Sequence, residues 1–201
     1  MYMPKVIVPV GFDSGPVWPL EPADQPTCYE VLLGDGSLQL TEDAYLVWAT
    51  AMLDRQAHAE VRFNRADLLK LTTGDERIPD PEVMIEKLLN SKILVEYDPD
   101  DPARFLQDYK LHLLAEGSGN TKEHPDTFRL SRRGEVVLEL YHDAYAMLRG
   151  MPYVSSMSVE IQTYSKALPT DGTFTLDELS VMFARAVPSI VATRCGYLQP
   201  S

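Results

Sequence analysis

Cysteine is almost absent: Cys28 and Cys195 are the only two in 201 residues. Two thiols so far apart make neither a disulfide framework nor a metal-ligand cluster, and they suit a reducing, cytoplasmic setting. Long apolar runs are missing as well. Nothing approaches the roughly 18 consecutive apolar residues of a membrane span. The first stretch, MYMPKVIVPVGF, holds one lysine and is interrupted by Pro4 and Pro9. It therefore lacks the charged start and long apolar core of a secretory leader.

Catalytic signatures are also wanting. Neither a nucleophile elbow nor an HExxH pair occurs, and Gly117-Ser118-Gly119-Asn120-Thr121 lacks the spacing and the following lysine of a phosphate-binding loop. His58, His112, His124 and His142 share no ligand spacing on one helix face. The acidic pairs Glu42-Asp43 and Asp100-Asp101 fall at a helix start and in a loop, where the helix dipole and solvation account for them. No catalytic residue, metal or cofactor is expected. A pocket lined by Trp48 and tyrosines remains open as a place for a small effector.

Basic residues are scarce: 18 Lys and Arg stand against 30 Asp and Glu, for a net charge of −12. Residues 1–100 carry 18 acidic and 8 basic side chains, and residues 101–201 carry 12 and 10. A protein that neutralises phosphates needs a local basic footprint. The best local cluster is Arg129, Arg132 and Arg133.

Along the chain, six prolines within residues 1–28 predict an irregular arm, packed on the body through Val6, Val8, Phe12 and Trp18. Tyr29–Leu33 and Leu38–Leu40 around Gly34-Asp35-Gly36 read as a hairpin. Thr41, Glu42 and Asp43 suit a helix start, and Ala44, Val47, Trp48, Ala51 and Met52 form its buried face. Asn64 caps a second helix over Arg65–Leu71. Asp80-Pro81-Glu82 opens a third with Met84, Ile85, Leu88 and Leu89 inside. Ile93–Tyr97 then leaves as a strand.

Farther on, a helical turn after Asp101-Pro102 is expected to lead into a strand at Leu111–Leu114. Thr127–Leu130 would be its partner, around a polar tip at residues 116–126. Residues 135–150 read as one helix, Val159 to Tyr164 as a strand or turn, and Leu176–Ala186 and Pro188 to about Gly196 as two helices.

The order and spacing of Asn64–Leu71, Gly74, Pro81–Leu89 and Ile93–Tyr97 resemble the winged helix-turn-helix family of bacterial transcription regulators. The resemblance covers residues 40–97. It implies a helix-rich α+β fold with a winged-helix-like core and small β-hairpins, whose third helix reads DNA while a hairpin wing touches the backbone. Carried onto this chain, the DNA-contacting residues would be Lys87 and Asn90 on the third helix and Arg129, Arg132 and Arg133 near the wing. Glu82 and Glu86 depart from the family pattern, because carboxylates on a reading helix repel phosphate.

Two readings therefore stand: a dimeric cytoplasmic DNA-binding regulator, or a winged-helix interaction module that takes a basic protein partner and no nucleic acid. The divisions expected are an arm at 1–28, a winged-helix-like unit with a long wing at 29–131, and a helical unit at 132–201. Asp43-Ala44-Tyr45 against Asp143-Ala144-Tyr145, Phe63–Leu69 against Phe174–Leu179, and Pro81 against Pro188 suggest a second, divergent copy. The alternative is a helical extension that forms a dimer interface.

Overall fold

The computed structural model describes residues 5–169 and 174–201, so Pro4 of the proline-rich segment lies outside the described residues. That segment is not an arm. Val6, Ile7 and Val8 have no exposed surface and form strand β1 (Val6–Pro9), while Phe12–Val17 forms β2. The prolines are tolerated because both strands are edges: β1 has a single partner, and β2 is the outer strand of a sheet ordered β2, β3 (Cys28–Leu33), β4 (Gly36–Leu40). Trp18, expected to pack inward, is 55% exposed.

The hairpin and the helices of residues 29–97 follow the sequence. Helix α1 (Glu42–Thr50) buries Ala44, Val47 and Trp48. A short helix not foreseen, α2 (Arg55–Ala59), starts at Asp54, whose side chain accepts from the Ala57 N–H. Helix α3 (Arg65–Thr72) has a full capping box between Asn64 and Asp67, and α4 (Pro81–Asn90) starts at Asp80 with proline in its first turn. Strand β5 (Leu94–Tyr97) then pairs antiparallel with β1, Val6 opposite Tyr97 and Pro9 opposite Leu94. The partner of β5 thus lies at the start of the chain, and no hairpin wing follows α4.

The second half differs more from expectation. Helix α5 (Ala103–Asp108) does lead into a strand, β6 (Tyr109–Leu113). Its partner is β10 (Gly196–Pro200) rather than Thr127–Leu130. Residues 116–141 make a three-stranded meander: β7 (Glu116–Gly119), β8 (Thr127–Arg132) and β9 (Glu135–Tyr141). The helix expected over 135–150 is confined to α6 (His142–Gly150). Arg133 (φ 52°) and Gly134 (φ 82°) form a two-residue hairpin turn that folds Glu135–Tyr141 back onto β8, and its β-branched, apolar composition fits a strand.

Val159–Tyr164, expected as strand or turn, lies in helix α7 (Met157–Ala167). Ser156 caps it by accepting from the Val159 N–H at 3.4 Å, and the buried set Met157, Glu160, Ile161 has helical spacing. The two helices expected after Thr175 are one, α8 (Leu176–Ala192), with Pro188 inside it.

The two halves repeat one plan. Each begins with a strand, continues into a three-stranded meander and helices, and ends on a strand antiparallel to its first. The details recur. Strands β2 and β7 are bulged at Asp13/Gly15 and Gly117/Gly119, with Gly15 and Gly119 both at positive φ. Asp43-Ala44-Tyr45 and Asp143-Ala144-Tyr145 occupy the same turns of α1 and α6. Tyr45 stacks on Tyr29 at 4.3 Å, as Tyr145 stacks on Phe128 at 4.7 Å. The last helix of each half ends in a left-handed basic residue, Lys92 (φ 59°) and Arg194 (φ 56°). The other two sequence correspondences fail: Asn64 caps α3 but Thr175 caps the final helix, and Pro81 starts α4 whereas Pro188 lies inside α8. Strand β2 lies before residue 28 and β9 after residue 131, so the divisions expected there cut through both meanders.

The halves share one core. Pro188 has no N–H, so the Ala184 carbonyl four residues earlier loses its helical donor, at a cost of about 3 kcal/mol for a helix-interior proline. The buried Tyr97 hydroxyl of the first half donates to that carbonyl at 2.7 Å. Tyr97→Phe is expected to lower stability by about 1–2 kcal/mol in urea unfolding. The loss should be smaller in a Pro188→Ala background, where the helical N–H returns; equal losses in both backgrounds would show that the hydroxyl does not fill the gap left by the proline.

Candidate functional site

The five residues singled out for DNA contact are not gathered on one element. Lys87 and Asn90 are exposed on α4, which packs on α1, α3 and β5. Arg129, Arg132 and Arg133 belong to β8 and its turn, which pack on β7, β9 and α6. None of the larger packing contacts joins the two groups. The arginine cluster is itself divided by the strand. Arg129 pairs with its cross-strand neighbour Glu139 at 3.0 Å, Arg132 lines an internal cavity, and Arg133 sits exposed in the hairpin turn.

The outer face of α4 presents Glu82, Val83, Glu86, Lys87 and Asn90, with Glu86 paired to Arg65 of α3. Beside it, between α4, β5 and α5, runs a groove of about 660 Å³. Its apolar lining includes Leu89, Val95 and Phe105. Its carboxylates are Glu86, Glu96, Asp98, Asp101 and Asp108, and its cations Lys5, Arg65, Lys92 and Arg104.

A second concavity, about 130 Å³, lies at the seam between the repeats. Strands β1 and β2 supply Pro9, Phe12 and Asp13, and α1 supplies Trp48; β8, α8 and β10 bring Arg132, Val191 and Tyr197, with Arg194 just past the end of α8. The indole N–H of Trp48 donates to the Val10 carbonyl at 2.9 Å, and Phe12 meets Tyr197 with ring centroids 5.2 Å apart. Asp13 accepts from the Tyr45 hydroxyl at 3.0 and 3.1 Å and from the Gly15 N–H at 3.0 Å. Burial, then the Asp13 charge, pushes the Tyr45 phenol up to about 12, with Arg194 opposing. Burial also raises the Cys195 thiol, against the charges of Arg132 and Arg55. Among the sequence candidates only Trp48, the tyrosines and Arg132 pointed here. Phe12 and Asp13 are neighbours in sequence and Arg194 lies 181 positions on, with no local signal to join them.

Among the described residues no group of three or more His, Cys, Asp and Glu is placed to hold a metal, and no helix is long and apolar enough to cross a membrane. Comparison with protein-family models, with curated proteins and with solved structures gave no match to the chain.

Each repeat hides one titratable group beneath the end of its first helix, at the fourth position of the next capped helix. His58 is 1% exposed; its Nε2–H donates to the Ala51 carbonyl at 2.9 Å, and its Nδ1 has no partner. Glu160 is 7% exposed and lies so close to Gly150 that a side chain there would strike its carboxylate. Burial lowers the His58 pKa from 6.5 and raises that of Glu160 from 4.5. The histidine therefore contributes stability that is complete above pH 6.5 and lost as pH falls through its folded value. The carboxyl contributes stability that is complete below pH 4.5 and lost as pH rises through its own. In denaturant midpoints measured from roughly pH 4 to 8, His58→Gln should flatten the acid limb and Glu160→Gln should stabilise the protein toward neutral pH. A Glu160→Gln protein no more stable at neutral pH would contradict this assignment.

Proposed function

We propose that the chain is a non-catalytic binding protein made of two repeated units, the first with the helix order of a winged helix but without its wing, which docks a basic protein surface through the first unit and does not read DNA. The observation that carries this is the placement of charge. Glu82 and Glu86 stand exposed on α4, and the adjoining groove sets Glu86, Glu96, Asp98, Asp101 and Asp108 against Lys5, Arg65, Lys92 and Arg104, while the arginines that would contact phosphate lie on β8 and its turn, apart from Lys87 and Asn90. A reading helix with that face would meet phosphate repulsion. Glu82 and Glu86, in a half that carries 18 acidic and 8 basic side chains, instead complement a partner that presents Lys and Arg. The absence of a wing after α4 favours the same view, since a backbone-touching hairpin belongs to the DNA-reading geometry.

Amphipathic Lys/Arg-rich peptides and mixed-sequence duplex DNA, tested side by side at low and moderate salt, separate the two uses of the fold. The peptides should bind with an affinity that falls as salt rises, and Glu82→Lys with Glu86→Lys should weaken them by about fivefold or more. A salt-dependent DNA shift lost on Lys87→Ala or Arg133→Ala would overturn the proposal in favour of a DNA-binding regulator.

A further inference from the structure

We infer that the seam cavity is a binding site for a small organic monoanion, a carboxylate carried on a single aromatic ring or a branched aliphatic body of similar size. Its chemistry is divided in the manner of ligand sites, with apolar walls and a few converging polar groups. Phe12, Trp48, Met52, Leu114, Val191 and Tyr197 make the walls. The charges are Asp13, Arg132 and Arg194.

Asp13 is already engaged by Tyr45 and Gly15. Among the described residues Arg132 and Arg194 make no ion pair, as is true also of Arg55, Arg133 and Arg149, whereas Arg62, Arg65, Arg77, Arg104, Arg129 and Arg185 each pair with a carboxylate. Of these unpaired arginines, Arg132 and Arg194 line one cavity together. Guanidinium is also the group that best matches a carboxylate. Two cations less one anion leave a single positive charge, which one carboxylate neutralises and a dianion overshoots.

Size narrows the ligand further. A volume of about 130 Å³ is close to the ~150 Å³ apolar cavity known to take benzene, so one ring fits. Its carboxylate would face the rim, where Arg194 is exposed and need not be dehydrated. The two repeats also part company at these positions. The repeat plan places Leu33 of the first hairpin where the second has Arg132, each pairing across its two-residue turn. It places Gly117 of the second bulge where the first has Asp13. The charges of Asp13 and Arg132 are thus absent from their counterparts in the other repeat, while Arg194 answers to Lys92.

Trp48 lines the cavity, and Trp18, the other tryptophan, is 55% exposed. Trp18→Phe protein therefore reports from the site alone. It would be titrated at constant ionic strength with benzoate, with benzyl alcohol as the neutral counterpart, and with inorganic phosphate. Benzoate should change Trp48 emission saturably and raise Tm by linkage. Arg132→Gln with Arg194→Gln should weaken benzoate at least tenfold, and the exposed Arg194→Gln alone about threefold, should the double variant fold poorly. Equal binding of benzyl alcohol, tighter binding of phosphate, no saturable response, or benzoate affinity unchanged by Arg194→Gln would each overturn the inference.

Discussion

Val10 and Gly11 hold the two repeats together at the level of the backbone. The Val10 N–H donates to the Ile93 carbonyl at 2.8 Å and its carbonyl accepts from Trp48 at 2.9 Å, which ties β1 to the start of β5 and to α1. The same residue bridges Leu198 of the second repeat in parallel, and the Gly11 N–H donates to the Leu198 carbonyl at 2.8 Å. Gly11 must be glycine: its φ is +99°, and a Cβ would collide with Val31 and the Leu32 carbonyl. Gln199 extends the seam by bonding to the Leu32 carbonyl and the Gly34 N–H. Tyr97 closes the other side on Ala184. Buried backbone groups need partners, and here each half supplies donors and acceptors to the other.

That shared seam gives the architecture a division of labour. The repeats agree in the groups that fold them: the hairpin turns, the bulged first strands, the aromatic stacks under Tyr45 and Tyr145, and the left-handed helix ends. They differ in what they present. In the first, four separate helices precede the closing strand, and Glu82 and Glu86 are exposed on the last of them. In the second, α8 is a single long helix whose residues Leu179, Phe183, Val187, Ile190 and Val191 are buried. The seam brings Arg132 and Arg194 of the second repeat to Phe12 and Trp48 of the first.

Where local chemistry decides structure, the sequence was readable. Asn64, Asp80 and Thr175 mark helix starts because their side chains satisfy free N–H groups of the first turn, and all three lie where expected. The Gly34-Asp35 turn fixes its hairpin, and Asp43-Ala44-Tyr45 does recur in the second repeat. Glu135–Tyr141 and Val159–Tyr164 each suit a strand and a helix alike, and such ties are settled by partners far away in sequence. Pro188 ends a helix by every local rule, yet α8 continues because Tyr97 supplies the missing donor.

The candidate site divides in the same way. Arg129, Arg132 and Arg133 adjoin in sequence, but side chains alternate along a strand, so one pairs with Glu139, one enters the seam and one stays in the turn. The sequence by itself determined the mixed α and β character, the helix starts, the acidic balance of the first half and the lack of catalytic motifs, because each depends on residues near one another or on composition alone. Tertiary structure alone decided which strands close each repeat, that α8 is unbroken, and that Asp13, Trp48, Arg132 and Arg194 surround one cavity. These depend on contacts between residues up to 181 positions apart along the chain, a separation at which local propensity carries no information.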